Sequence, residues 1–245
     1  MENFDADSGQ VTLRNYLDFL DAGELVRARY ELTHHGEVAA RGEVDQTDAG
    51  VEISGRIGMV APTVQRILLI DATWRVDASG AISCRLEAQK APEFPDLPRF
   101  GVRFFVDAAL GQVTYRGLGP YENYADKKRA SFHGTFSASV EELHEDYVTP
   151  QENGARGDCE MVQVSGADAG LNVYAVGRAF SFNASRYTTE ELTRAAHNYE
   201  LEESGSTVLV IDYAHNGIGS NSCGPEVLEK YRFNATSFTH EFTPG

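Results

Sequence analysis

The sequence predicts an all-β protein with two short helical insertions, and three observations predict it. Apolar and polar residues alternate with period two in one segment after another, turn-forming residues recur between those segments, and no strand–helix–strand rhythm appears. The first two point to a large antiparallel sandwich, and the third excludes a TIM barrel or Rossmann domain from this chain.

The elements follow in order. Residues 10 to 44 read as three strands; in the second, Val26, Ala28, Tyr30 and Leu32 alternate with Arg27, Arg29, Glu31 and Thr33. His34-His35-Gly36 turns the chain, and the adjacent histidines point to opposite faces of a strand, which suits a solvated turn better than a metal site. Around Asp45 to Gly50 the pattern lapses, and a domain boundary is expected there, dividing residues 1–48 from 49–245. Leu68, Ile70, Ala72, Trp74 and Val76 form one strand face, Asp77 to Gly80 a turn, and Ile82, Cys84, Leu86 and Ala88 the returning face, so the pair reads as a hairpin with Cys84 in the core. Ala91 to Pro98 holds three prolines and is expected to be an extended connection. Phe100, Val102, Phe104 and Val106 resume the alternation, followed by Gln112 to Tyr115. Gly117-Leu118-Gly119 lacks the third glycine, the Lys-Ser/Thr and the helix of a phosphate loop. Ser139-x-x-Glu142 and Thr188-x-x-Glu191 fit capping boxes and predict the two helices, the second packing on Leu192, Ala195, Ala196 and Tyr199. The remaining strands are placed at 159–164, 171–182, 207–213, 230–235 and 237–242.

Composition narrows the function. With 21 Lys and Arg against 37 Asp and Glu the formal charge is −16, and no basic run exceeds Lys127-Lys128-Arg129. Nucleic acid and anionic membrane surfaces are therefore poor partners. No apolar run approaches the length of a membrane helix and no signal peptide is visible at Met1-Glu2-Asn3-Phe4-Asp5, so a cytoplasmic location is expected. Cys84, Cys159 and Cys223 are odd in number and lack CxxC spacing, which fits neither a disulfide framework nor a zinc site. The paired acids Glu141-Glu142, Glu190-Glu191 and Glu202-Glu203 stand beside caps and turns as dipole partners and solvated charges, and no pair is nominated as catalytic.

One stretch stands out. Thr207 to Pro225 reads TVLVIDYAHNGIGSNSCGP, an apolar strand that gives way to a glycine-rich polar loop. Such a loop on a β scaffold is either a plain turn between strands or a binding loop. Glu122, Asn123, Glu152, Asn153 and Arg156 are expected to be loop-bracing hydrogen-bond partners. His215 is open between a structural pair with Asp212 and a contact to a ligand.

Four further blocks give this loop a context: Leu97-Pro98-Arg99-Phe100-Gly101; Gly117 to Asp126, GLGPYENYAD; Tyr147 to Gly154, YVTPQENG; and Phe180 to Tyr187, FSFNASRY. With the stretch from His215 to Pro225 they resemble, in order and spacing, the C-terminal domain of the large bacterial β-galactosidases of glycoside hydrolase family 2, which is also the core of the small subunit in heterodimeric members. The resemblance covers residues 50 to 245 and implies a galactose-mutarotase-like supersandwich there. Residues 1–48 resemble part of the immunoglobulin-like β-sandwich that precedes it. Compared with that family the join near Asp45 skips chain, so the supersandwich is expected to be incomplete. The family's barrel and its catalytic glutamate pair have no counterpart here, so the resemblance implies no catalytic residue in this chain, no cofactor, and any metal ions on the barrel. It implies a barrel-containing β-galactosidase subunit or domain as partner, in an oligomer, and terminal β-galactosides such as lactose as substrate. The loop would meet the sugar through Cys223, with Ser222 and Asn221 beside it; cysteine stands where many members carry tryptophan, which removes a stacking face. Two alternatives come from other classes. One is a non-catalytic galactose-binding module. The other is an aldose mutarotase or epimerase built on a His–Glu pair, for which His133, His144, His215 and His240 with Glu122 or Glu152 are the available groups.

Overall fold

A computed structural model describes residues 3–4, 11–12, 28–34, 37–47, 50–60, 66–219 and 224–245. The described residues contain sixteen strands: β1 (Asn3–Phe4), β2 (Val11–Thr12), β3 (Ala28–His34), β4 (Glu37–Thr47), β5 (Gly50–Val60), β6 (Arg66–Asp77), β7 (Ile82–Lys90), β8 (Arg99–Asp107), β9 (Gln112–Gly119), β10 (Phe132–Ser139), β11 (Arg156–Cys159), β12 (Met161–Ser165), β13 (Gly170–Ala175), β14 (Phe180–Ser185), β15 (Ser206–His215) and β16 (Ser237–Pro244). One α-helix, α1 (Thr189–Arg194), interrupts them. The expected all-β antiparallel sandwich is what forms. β1 and β2 pair with each other, ten strands make a sheet in the order β10-β9-β12-β13-β16-β7-β6-β5-β4-β3, and four make a second in the order β11-β14-β15-β8.

Aromatic side chains lock the two sheets together. Tyr115 of β9 meets Phe182 of β14 at 5.1 Å between ring centroids, Phe100 of β8 meets Phe238 of β16 at 4.8 Å, and Phe104 meets Phe242 at 6.2 Å. All three contacts are of the edge-on kind that the ring quadrupole favours. Leu209 and Ile211 of β15, Val162 and Val164 of β12, and Cys84 of β7 fill the space between them with almost no exposure. Cys84 is thus the small core residue the alternation places there, and burial pushes its thiol up to about 12.

The expected hairpin forms, with Trp74 opposite Cys84 and Val76 opposite Ile82. Asp77 makes its turn by accepting from the amides of Ser79 at 2.8 Å and Ala81 at 3.0 Å. β5 pairs with β6 and β4 with β5, Thr47 lying opposite Gly50 across the position where the sequence pattern lapses. β5 has two unlike faces. Glu52 and Arg56 pair with Arg75 and Asp71 on one side, while Ile53, Ile57 and Met59 lie opposite Trp74, Ile70 and Leu68 on the other. This second face continues the core face of the ten-stranded sheet, yet Ile53 and Ile57 are each 38% exposed and Met59 is 50% exposed. The apolar side of β5 extends past the edge of the four-stranded sheet.

Several expectations need correction. The run 171–182 is two strands in different sheets, β13 and β14, because Gly177 takes a φ of +71° between them and turns the chain out of one sheet into the other. Residues 230–235 do not form a strand. A 3-10 turn spans Glu229–Tyr231, and the carbonyls of Tyr231 and Phe233 accept from Gly217 and Leu97 instead of a ladder. At Ser139 the capping box closes in both directions, with Ser139 N donating to Glu142 Oε2 at 2.8 Å and Glu142 N to Ser139 Oγ at 3.2 Å, but no helix follows. Asn153 Oδ1 captures the Glu145 amide at 3.0 Å, and acids crowd what would be the helix's C-terminal end. In α1 the Thr188 side chain caps Glu191 as expected, while Glu191 turns its carboxylate to Arg194. Leu192 and Ala195 are buried; the helix stops before Ala196, and Tyr199 is 79% exposed. The predicted positions Val26, His35 and Gly36 lie outside the described residues. Among the described residues no helix is long and apolar enough to cross a membrane.

Phe242 is fully buried and touches Trp74, Phe104 and His240. Phe242→Ala is expected to destabilise the fold by about 3–5 kcal/mol, read as a lower urea midpoint at unchanged slope.

Candidate functional site

The inner strand β15 of the four-stranded sheet is buried on both faces. Leu209 and Ile211 face the core, and Val208, Val210 and Asp212, on the other side of the same strand, are also buried. Loops cover this outer face: Asn183, opposite Val210, donates its amide to the Asn153 carbonyl, which brings the loop around residue 153 over the sheet.

A fully buried Asp212 among valine, leucine and isoleucine requires neutralisation from a neighbouring strand. Arg99 supplies it, donating to Asp212 Oδ2 at 2.5 Å and Oδ1 at 3.2 Å in a two-pronged pair. Arg99 also reaches Glu152 Oε2 at 2.8 Å. His215 Nε2 lies 2.8 Å from Asp212 Oδ2. Residues three apart on a regular strand point to opposite faces, so a local irregularity has to bring Asp212 and His215 together. It is a bulge: Asp212 lies opposite Gly101, Ala214 opposite Phe100 and His215 opposite Arg99, leaving Tyr213 as the extra residue. Gly101 is equally necessary, because a Cβ there would collide with Asp212 Oδ1 and the Ile211 carbonyl.

The electrostatics follow. Burial pushes the Asp212 carboxyl up, but His215 and Arg99 together outweigh it and hold the group below its ordinary value. Glu152 goes the other way. Burial raises it, and Arg99 and His215 only partly oppose the rise. Glu122, buried, is also held low: burial is outweighed by Lys127, by the Tyr147 hydroxyl at 2.5 Å and by the Gly154 amide at 2.9 Å.

The neighbouring polar residues brace loops, as expected for Glu122, Asn123, Asn153 and Arg156. Asn123 accepts from Gly157 N at 2.9 Å and donates to the carbonyls of Leu118 and Tyr121. Arg156 donates to the carbonyls of Pro120 and Gly154. The pair of His215 with Asp212 forms. Glu152 joins their cluster, whereas the other histidines lie elsewhere: His133 beside Glu160, His144 against Tyr187 and His240 under the Ile211 carbonyl.

From His215 the chain enters the glycine-rich loop, and each residue of its first stem is tied down. Asn216 N donates to Pro98 O at 2.9 Å and Gly217 N to Tyr231 O at 2.8 Å. The amides of Ile218 and Gly219 both donate to Asp126, at 3.0 and 2.8 Å. Asn216 Oδ1 accepts from Phe233 N at 2.8 Å, which ties the first stem to the second. In the second stem Arg232 reaches the Val227 carbonyl and Glu226. A cleft of about 370 Å³ opens beside both stems, lined by Tyr124, Ser181, Tyr213, His215, Tyr231 and Asn234 among others. Asn221, Ser222 and Cys223, the predicted sugar contacts, lie outside the described residues. All five blocks nevertheless converge here, through Arg99, Asp126, Glu152, Asn183 and His215. Sequence reasoning missed the roles of Arg99 and Asp126. The signal for Arg99 was an aspartate inside an apolar strand, which needs a cation on its partner.

Residues 6–243 match the family described as the beta galactosidase small chain. The chain belongs to that family. The β-galactosidase of Actinobacillus pleuropneumoniae is 36% identical over 245 aligned residues, covering 96% of this chain and 24% of the relative. That of Staphylococcus xylosus is 35% identical over 192 residues, 78% of this chain and 19% of its own. The β-galactosidase of Kluyveromyces lactis is 36% identical over 163 residues, 65% of this chain and 15% of its own. The chain thus spans about a quarter or less of the length of these relatives.

Breaking a buried ion pair from one side leaves the other charge uncompensated. Asp212→Asn is expected to cost about 3–5 kcal/mol at pH 7. Because Asp212 is held below its ordinary 3.8 in the fold, its contribution is complete above that value and is lost as pH falls through the lower folded value. The stability gap between wild type and variant, from urea titrations at stepped pH, should therefore close below about pH 4. Gly101→Ala should destabilise the chain comparably by displacing the Asp212 carboxylate.

Proposed function

We propose that this small-chain family member completes the sugar site of a barrel-bearing β-galactosidase subunit, in the cytoplasm and within an oligomer, for hydrolysis of terminal β-galactosides such as lactose. The observation that carries the reading is the convergence of five separated blocks on one loop. Every described residue of its first stem is hydrogen-bonded, so that stem is held in place before any ligand arrives. Such pre-ordering serves recognition, since loop ordering is then not lost on binding.

Two of the buried acids, Asp212 and Glu122, support an assisting role. Retaining glycoside hydrolysis needs two carboxyl groups about 5 Å apart across the glycosidic bond. Asp212 is fully buried and both its oxygens are committed, and Glu122 is held by three donors. Neither is free to attack or protonate a substrate, and the chemistry is assigned to carboxylates on the partner. The names of the relatives, each β-galactosidase, and the small share of each that this chain spans support a larger partner. The half-exposed apolar face of β5 supports one too, since it prolongs the core side of the large sheet without cover from the four-stranded sheet.

Co-expression with a barrel-bearing family member, followed by galactoside hydrolysis assays, tests the proposal. A stable complex with activity well above that of the barrel partner alone is expected, and Ile57→Glu on the apolar face should weaken the complex. No complex and no gain in activity would refute it.

A further inference from the structure

We propose that the cleft beside the two stems binds a small anion, a phosphate or carboxylate carried on a hydroxyl-bearing body. Its walls hold four cations, Lys128, Arg178, Lys230 and Arg232, against one carboxylate, Asp158. On a chain of formal charge −16 this local excess runs against the overall balance. The volume of about 370 Å³ lies at the lower end of the range for small-molecule sites, about 300–1,000 Å³.

Two of the cations are already neutralised. Arg232 meets Glu226 at 2.9 Å, Asp96 at 3.7 Å and Glu229 at 3.8 Å, and Lys128 meets Asp158 at 3.5 Å. Among the described residues no carboxylate pairs with Arg178 or Lys230. Each lies over an aromatic ring of the cleft instead. Arg178 stands 4.2 Å from the Tyr213 centroid, with Nη1 donating to that hydroxyl at 3.0 Å, and Lys230 stands 4.7 Å from the Tyr231 centroid. Their backbones are fixed too. The Arg178 amide donates to Val176 O at 2.8 Å in the turn made by Gly177, and Lys230 is the middle residue of the 3-10 turn Glu229–Tyr231. Cations held over rings on fixed turns lose little freedom when an anion arrives. Beyond its bond to Tyr213, Arg178 keeps N–H donors in the fork that suits phosphate and carboxylate oxygens.

The same walls carry polar groups without partners among the described residues. His215 gives Nε2 to Asp212 and leaves Nδ1 open, and Ser181 Oγ bonds to nothing. Tyr124, 5% exposed, packs edge-on against His215 at 5.8 Å, and its hydroxyl has no partner. A few convergent polar groups beside aromatic walls are what fixes a hydroxylated ligand.

Titration calorimetry on the full chain at low salt tests this with glucose 6-phosphate, glucuronate, inorganic phosphate and glucose. These probes leave galactoside hydrolysis aside, so the outcome is separate from that of the functional reading above. One sugar acid or both should bind at least about tenfold more tightly than glucose, the tighter naming the anion, and added salt should narrow the gap. Inorganic phosphate should bind more weakly than the sugar phosphate. Arg178→Gln and Lys230→Gln change exposed side chains on separate elements. Each should weaken the sugar acid by about three- to tenfold with an unchanged urea midpoint. Arg85→Gln removes a cation of β7 paired with Glu87 and Glu241, and should leave affinity within about twofold. Equal binding of glucose and its acids would overturn the proposal, as would wild-type affinity in both cleft variants or an equal loss in Arg85→Gln. An oligo-aspartate peptide that bound where the sugar acids did not would overturn it as well, by giving the cleft to a protein partner.

Discussion

Asp212 has no contact with solvent and stands in a strand of apolar residues, so the fold has to neutralise its charge from within. Arg99 does this from the adjacent strand, and the requirement shapes everything nearby. Gly101 must lack a side chain to make room for the carboxylate, and β15 must carry an extra residue to bring His215 round to the same face. Arg99 must also be shielded, which draws Glu152 and its loop over the sheet. The ion pair is a poor source of stability in itself, since its attraction is offset by desolvation. What it provides is a fixed geometry at the point where the chain leaves the sheet and enters the loop.

Much of the fold could be read from periodicity. The hairpin of β6 and β7, with Asp77 at its turn and Cys84 inward, follows from alternation and turn chemistry alone. Alternation misled where the ladder partner was absent: Tyr231, Phe233 and Ala235 have the spacing of a strand, yet the carbonyls of Tyr231 and Phe233 serve Gly217 and Leu97. It also misled at Val176 to Ala179, where the apolar pattern runs on while Gly177 redirects the chain. The capping box at Ser139 was legible as hydrogen bonding but not as a helix, because local propensity lost to Asn153, which competes for the Glu145 amide. In the site, the bracing residues were legible as polar groups crowded into turns. The bulge at Tyr213 was not, since period-two reasoning separates Asp212 from His215 and only the register with Arg99 reunites them.

The two sheets divide the work. In the small sheet β15 is covered on both faces, by the core on one and by the bracing loops on the other, and with β8 it carries the charged cluster. The large sheet runs beyond it, and β5 presents isoleucine and methionine where cover ends. The hydrogen-bonded cluster thus belongs to the small sheet and the exposed apolar surface of β5 to the large one.

The loop also spans the join between these layers. Its first stem prolongs β15 of the small sheet, and its second leads into β16, near the middle of the large one. Tyr213 at the bulge stacks on Phe238 of β16, and Phe233 packs against the same ring. Any sliding of one layer over the other therefore moves the two ends of the loop by different amounts. The two stems act as a strain gauge for the sandwich, and a core substitution far from them would register as a change in their spacing.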